Sequence, residues 1–241
     1  VSHPLCWAVV PAGGSGSRFS AAQDKLLTLL AGKPVLCHTI EALLACSSFT
    51  GIVLVASEKN LPHYQALLTQ TFPTANLRFT TGGASRRASV YQGLQALPDD
   101  TEIVAIHDAA RPLIQPVILE QAIAAITQGA TGSLVAQPVV DTVKQVDPDT
   151  MQIQRTIDRQ TLWRAQTPQA FRFSTILQAH QQIDPNIEAT DDAQLLELAG
   201  LGPVVIIPGP ASNLKITGPD DIPLAESFYR QIHGQPAGNL P

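Results

Sequence analysis

The stretch VVPAGGSGSRF, Val9 to Phe19, decides how the chain is read. A β-branched run ends at Pro11 and Ala12, five Gly and Ser residues follow, and Arg18 comes next. A strand that empties into such a loop opens an α/β unit, and the small residues let backbone N–H groups approach an anion closely. Neither common phosphate fingerprint fits. A GxGxxG beginning at Gly14 needs glycine at position 19, which is Phe, and the chain has no Gly-Lys-Ser/Thr for a Walker A loop. The glycines alone read as a tight turn. Arg18, and Lys25 seven residues on, shift the reading toward phosphate, because a guanidinium and an ammonium beside the loop neutralise a triphosphate.

Outward from this loop, apolar runs alternate with helical patterns. Strands are predicted at 5–11, 51–57, near 77–80, and at 102–108, 132–140, 203–207 and 212–216. Helices are predicted at 33–46 with Pro34 in the first turn, around 60–71, and at 85–97 behind a Ser85 cap. Others follow at 116–128, 174–182, 191–199 behind a Thr190 cap, and from about 219. The order predicts an α/β fold, Rossmann-like, with a mostly parallel twisted sheet and helices on both faces. Ligands on such sheets bind beyond the carboxyl ends of the strands. Residues 138–159 break the alternation. They read as two strands around the turn DPDT (147–150), a hairpin that is marginal alone and calls for a second subunit to lean on. The expected organisation is a core of 1–137 and 160–241 with a protruding hairpin dimerisation arm at 138–159.

The bulk composition sets limits. The 241 residues are 44% hydrophobic but only 5% aromatic, so the core is aliphatic. A net charge of −5 argues against nucleic acid as a partner, and no run is long enough to span a membrane. Cys6, Cys37 and Cys46 lack metal-ligand spacing and read as buried thiols in a reducing compartment. The first residues do not resemble a signal peptide, so the expected location is the cytoplasm, or a plastid stroma for a plant source.

Three further segments carry candidate chemistry. In IHDAARP (106–112), Asp108 ends an apolar run where a charge needs a partner. It suits Mg²⁺, which binds through one or two carboxylates plus substrate phosphates, or it caps the next turn. His107 reads as structural. In TTGGASRRASV (80–90), Gly82 and Gly83 permit close backbone approach and Ser89 offers a hydroxyl to a base or ribose; Arg86 and Arg87 are also readable as solvated helix residues. In SNLKIT (212–217), Lys215 faces opposite to Leu214 and Ile216 if the segment is a strand, toward either solvent or a phosphate.

PAGGSGSRF with Lys25, HDAARP, DTVK (141–144), DR (158–159), TPQAF (167–171), ATDDA (189–193) and SNLKIT occur in one order. That ordered set resembles the 2-C-methyl-D-erythritol 4-phosphate cytidylyltransferase family of the non-mevalonate isoprenoid pathway, from about residue 5 to 229. The resemblance implies CTP as co-substrate, 2-C-methyl-D-erythritol 4-phosphate as acceptor, Mg²⁺ as cofactor and a homodimer built through the arm. It implies that Ala12, Gly13 and Gly14 line the CTP site and that Arg18 and Lys25 stabilise the transition state. Gly82, Gly83, Arg86 and Ser89 fall in the cytosine and ribose region, and Asp108 is the implied metal ligand with Ala109 and Arg111 beside it. Thr142 and Arg159, on the arm, are implied to reach the acceptor site of the neighbouring subunit. The resemblance also implies hydroxyl contacts from Thr167 and Thr190 nearby, and a Lys215 that positions the acceptor phosphate. Where the family commonly has Pro-Lys-Gln, this chain has Asp24-Lys25-Leu26, and Gly13 replaces a frequent alanine.

The chemistry asks for cations rather than a base. A phosphate monoester, with its second pKa at ~6, is mostly a dianion at neutral pH. The difficulty is bringing it to a polyanionic nucleotide, which is a matter of positioning and positive charge. Alternatives open from the sequence are a ribitol 5-phosphate cytidylyltransferase, a sugar-1-phosphate nucleotidyltransferase, and a nucleotide-binding module without turnover.

Overall fold

Alternation along β1 (Cys6–Pro11) shows why a strand so apolar is central: Cys6, Ala8 and Val10 enter one buried cluster and Trp7 and Val9 the other. A computed structural model of the chain describes residues 4–13, 24–187 and 189–234. After β1 come the two-residue strands β2 (Leu29–Leu30) and β3 (Lys33–Pro34), α1 (Val35–Leu44), β4 (Phe49–Ala56), α2 (Leu61–Thr71), β5 (Leu77–Thr81), α3 (Arg86–Gln95) and β6 (Ile103–Ile106). The second half holds α4 (Pro116–Thr127), β7 (Gly132–Pro138), β8 (Val143–Val146), β9 (Ile153–Ile157), β10 (Trp163–Arg172), α5 (Phe173–Gln182), α6 (Asp192–Ala199), β11 (Val204–Pro208) and α7 (Asp221–Ile232).

The main sheet has seven strands in the order β11-β7-β10-β6-β1-β4-β5. All its pairings are parallel except the two made by β10, which runs antiparallel to both β6 and β7. Helices α1, α2, α4 and α7 contribute to the cluster on one face, and α3, α5 and α6 to the cluster on the other. The mostly parallel α/β architecture expected from the sequence is therefore the observed one. The carboxyl ends of β1, β5 and β6 lie along one edge of the sheet, and each runs into a segment singled out above: 12–13, 82–85 and 107–111.

Several local expectations are corrected. β10 was not expected at all: Pro168, joined to Thr167 by a cis peptide bond, and its polar neighbours disguise a strand whose residues Gln166 to Phe171 are buried. Residues 212–216 are not a strand; the segment is irregular and tied to the core by Ile216 N donating to Ala110 O at 2.8 Å. Asp108 lies two residues beyond the end of β6, and Pro34 precedes α1 as its N-cap residue instead of sitting in the first turn. The cap of α6 is Asp191, not Thr190. The Asp191 carboxylate accepts from Gln194 N at 2.9 Å, and the Gln194 side chain accepts in return from Thr190 N at 2.6 Å. The Ser85 cap of α3 is as expected, with its hydroxyl accepting from Ala88 N at 3.1 Å.

Among the described residues β8 and β9 pair only with each other, as a two-stranded antiparallel sheet. At their turn, Asp147 Oδ1 accepts from the backbone N–H groups of Asp149 and Thr150 and from the Thr150 hydroxyl. Much of the surrounding segment is exposed, including Val140, Met151 and Ile153.

Candidate active site

Asp108 organises the cleft at the carboxyl edge of the sheet. Its residue surface is 8% exposed, and three cations surround its carboxylate: Lys215 Nζ at 2.9 Å, Arg86 Nε at 3.5 Å and Arg111 Nε at 3.6 Å. Burial alone would raise the carboxyl pKa, but Lys215 and Arg86, with help from Arg111, overcome it and hold the group well below the usual carboxylate range. Each cation arrives from a different part of the chain. Arg86 opens α3, Arg111 follows the Ala109-Ala110 turn after β6, and Lys215 comes from the irregular segment before α7.

Arg86 also binds a second carboxylate, with Nη2 at 2.8 Å from Asp192 Oδ2. Burial works against its charge, yet Asp192 and Asp108 together hold its pKa above the ordinary arginine value. Asp192 is buried at the start of α6, and burial raises its carboxyl despite Arg86. Asp192, within ATDDA, is a site residue that the sequence pattern alone does not single out. The available signal was the second of two adjacent acids at a helix start, where only the first can cap. Arg87 is not a solvated residue either: its guanidinium donates to the carbonyls of His180, Ile183, Asp184 and Ile187 and closes the end of α5.

Behind Asp108 runs a buried polar chain. His107 Nε2 faces the carbonyl of Arg111 at 3.1 Å, which only accepts, so Nε2 carries the ring proton. Nδ1 then accepts from the Thr167 hydroxyl at 3.1 Å, and the Thr167 oxygen accepts from Asp108 N at 3.0 Å. Burial pushes the His107 pKa down to about 4 and keeps the ring neutral, consistent with a structural His107. The Asn213 side chain donates to Thr167 O at 2.8 Å and Gln166 Oε1 at 2.9 Å, while its main-chain carbonyl accepts from Arg111 Nη1 at 2.8 Å; nothing in the local sequence pattern singles it out.

Of the sequence candidates, Ala12, Gly13, Lys25, Arg86, Ser89, Asp108, Ala109 and Lys215 line one cleft. Arg111 and Lys215 border an adjoining hollow with Arg164 and Gln166. Gly14 and Arg18 lie outside the described residues. Gly82 and Gly83 precede α3 and serve its packing: a Cβ at Gly82 would stand 2.6 Å from Ser89 Oγ, and one at Gly83 would stand 2.5 Å from Ala88 Cβ. The Ser89 hydroxyl is buried and donates to Ser85 O at 2.9 Å, and the Thr167 hydroxyl serves the chain behind Asp108. Thr190 is exposed beside α6. Thr142 and Arg159 are exposed, and neither lines the cleft of its own chain; Arg159 donates to Val140 O.

The donor set bears on a metal. Among the described residues no group of three or more His, Cys, Asp or Glu could hold a metal ion. One carboxylate kept ionised at the cleft floor, ringed by cations, does not build an all-protein metal cage. It fits Mg²⁺ that arrives with phosphates supplying its other ligands. No helix among the described residues is long and apolar enough to cross a membrane.

The chain matches known proteins over most of its length. Residues 6–231 match the family model "IspD: 2-C-methyl-D-erythritol 4-phosphate cytidylyltransferase". The 2-C-methyl-D-erythritol 4-phosphate cytidylyltransferase of Synechococcus elongatus is 41% identical over 224 residues, which are 92% of this chain and 95% of the relative. That of Thermosynechococcus vestitus is 41% identical over 233 residues, 96% of this chain and 98% of the relative. Among solved structures, 4-diphosphocytidyl-2C-methyl-D-erythritol synthase from Anaerococcus prevotii superposes with a TM-score of 0.84 at 28% identity, covering 95% of this chain and all of that one. The Thermus thermophilus cytidylyltransferase superposes at 0.75 and 27% identity, covering 92% of this chain and 98% of that one. With matches of this extent, the chain belongs to the 2-C-methyl-D-erythritol 4-phosphate cytidylyltransferase family and is an enzyme of the nucleotidyltransferase class, with CTP as co-substrate.

Proposed function

We propose that the chain transfers the cytidylyl group of CTP to 2-C-methyl-D-erythritol 4-phosphate, releasing pyrophosphate and 4-diphosphocytidyl-2-C-methyl-D-erythritol. The observation that carries the reading is the convergence of Lys215, Arg86 and Arg111 on one ionised carboxylate, in the cleft that Lys25 and the end of β1 also line. This is a site for polyanions in a chain whose net charge is −5.

The acceptor phosphate attacks the α-phosphate of CTP in line with the departing pyrophosphate. It needs no general base, since it is mostly dianionic at neutral pH. His107, buried behind Asp108, has both ring nitrogens engaged and stays neutral. The residues therefore orient the reactants and offset their repulsion. Lys25 and Arg18 serve the triphosphate, and Lys215 exchanges Asp108 for the acceptor phosphate. Asp108 would hold Mg²⁺, which supplies positive charge to the phosphates when bound. Thr142 and Arg159 complete the acceptor site of a neighbouring subunit through the 138–159 arm, so the working unit is a homodimer. Substrates that are soluble phosphates suit a cytoplasmic reaction.

The test is pyrophosphate release from CTP and Mg²⁺ with 2-C-methyl-D-erythritol 4-phosphate or ribitol 5-phosphate in parallel, beside EDTA and Asp108→Ala controls. Turnover with the methylerythritol substrate alone, lost in both controls, is the expected result. Turnover with ribitol phosphate alone would reassign the acceptor, and CTP binding without turnover on either would leave a binding module.

A further inference from the structure

Lys25 is held in its place by a buried strut that reaches it from another element. The residue on its N-terminal side, Asp24, uses both carboxylate oxygens: Oδ1 accepts from Leu26 N at 3.0 Å and Oδ2 accepts from the Tyr64 hydroxyl at 2.6 Å. The Asp24 carbonyl accepts from Leu27 N at 3.0 Å and from the Thr28 hydroxyl at 3.4 Å, which closes a tight turn over residues 24–28. On the C-terminal side, Leu26 is buried and its carbonyl accepts from Leu36 N at 2.9 Å. The backbone on both sides of Lys25 is therefore fixed, while Lys25 itself lines the cleft.

The far end of the strut is rigid. Tyr64 is 1% exposed and, with Leu68, forms the buried face of α2. Its hydroxyl also accepts from Asn60 Nδ2 at 3.3 Å, so it has one partner as acceptor and one as donor. A tyrosine buried this deeply needs such partners, and the carboxylate–phenol bond is of the short, charge-assisted kind. Burial, and then Asp24 itself, raise the Tyr64 pKa, so the phenol stays the donor of this bond.

We propose that Tyr64 and Asp24 are positioning residues for Lys25, with the Tyr64 hydroxyl orienting the Asp24 carboxylate and that carboxylate setting the turn that aims the lysine into the cleft. The inference rests on the reading that Lys25 acts on the triphosphate. It also accounts for an acidic residue directly beside that lysine: Asp24 orders the turn through Leu26 N and Tyr64.

The experiment is steady-state pyrophosphate release by the full chain for Tyr64→Phe, Asp24→Asn, the double variant, Lys25→Ala, and Tyr64→Phe in the Lys25→Ala background. Tyr64→Phe removes one oxygen and keeps the ring in the core. Loosening the turn is expected to lower kcat by ~10-fold, short of the ~10² attached to a displacement of a full ångström. KM for the methylerythritol phosphate should hold. The double variant should be no worse than the poorer single, and Tyr64→Phe should cost nothing once Lys25 is alanine. An equal loss from Tyr64→Phe in both backgrounds would make the effect a general structural one and overturn the proposal. So would wild-type kcat in Tyr64→Phe beside a large loss in Lys25→Ala. If Lys25→Ala keeps full activity, the role given to Lys25 falls and takes this inference with it, a pattern distinct from the other two.

Discussion

The Asp108 cleft and the β8–β9 hairpin are opposites. The cleft carries a partly buried polar network: one carboxylate meets three cations, and the network continues through Arg86 to Asp192. The hairpin pairs only with itself and leaves Met151 71% and Ile153 64% exposed. A two-stranded sheet is marginal in water, and exposed apolar side chains do not stabilise it. The Asp108 network thus finds its partners within one chain, whereas the hairpin leaves its apolar side chains without cover from its own chain. Substitutions in the first should register as lost turnover with altered stability, and in the second as altered assembly with an intact core.

Asp108→Ala gives the largest effect. It leaves three cations facing one another in a partly buried site and removes the proposed metal ligand. Turnover should fall by ~10³ or more and thermal stability should drop as well. A variant with wild-type kinetics would erase the distinction between the two regions. Lys215→Ala should follow with a loss of ~10²–10³ in kcat. Next comes Ile153→Asp. Placing a charge at this exposed apolar position should weaken the proposed homodimer, read as a shift toward monomer in sedimentation, and reduce turnover, with little change in the core's near-UV circular dichroism. An oligomeric state that is the same in both proteins would show that the hairpin does not pair two copies.

Acid sharpens the picture on the core side. Burial pushes both His107 and His180 down to about 4, well below the ordinary histidine range near ~6.5. As pH falls through this window the unfolded chain binds protons that the folded chain refuses. The stability is therefore fully present above about pH 6.5 and is lost toward about pH 4. Thermal melts across that range should decline, and His180→Phe should flatten part of the decline without touching turnover at neutral pH. Melts that run flat from neutral pH to about pH 4 would refute the assignment. The smallest expected effect is Ser85→Ala, a loss of about 1 kcal/mol from the cap of α3, read by urea titration.

What was legible in the sequence follows the same division. β1, β4 and β6 are buried on both faces, so their unbroken apolar runs announced a parallel sheet. The Ser85 cap needed only local chemistry. β10 was hidden because its centre is polar and carries a proline. Its buried Gln169 is satisfied by Asp191 and by Ala193 N, partners more than twenty residues away that no local pattern reveals. The converse holds at 212–216, where Leu214 and Ile216 alternate like a strand but pair with no strand among the described residues. In the site, Asp108 and Lys215 stood out as charges in apolar company. Asp192, Asn213 and Tyr64 did not, because each acts by holding another residue.

The two ends of the 139–162 segment meet across a single rung of the main sheet. Pro138 is registered opposite Trp163, and Val139 N donates to Leu162 O at 3.0 Å. Everything between them is thus a cassette, spliced into a β7–β10 hairpin that would close without it. Such a junction can lengthen, shrink or exchange its insert over evolutionary time while the sheet beneath keeps its register. For an engineer it marks a graft point, where a foreign hairpin could replace the insert without cutting the main sheet.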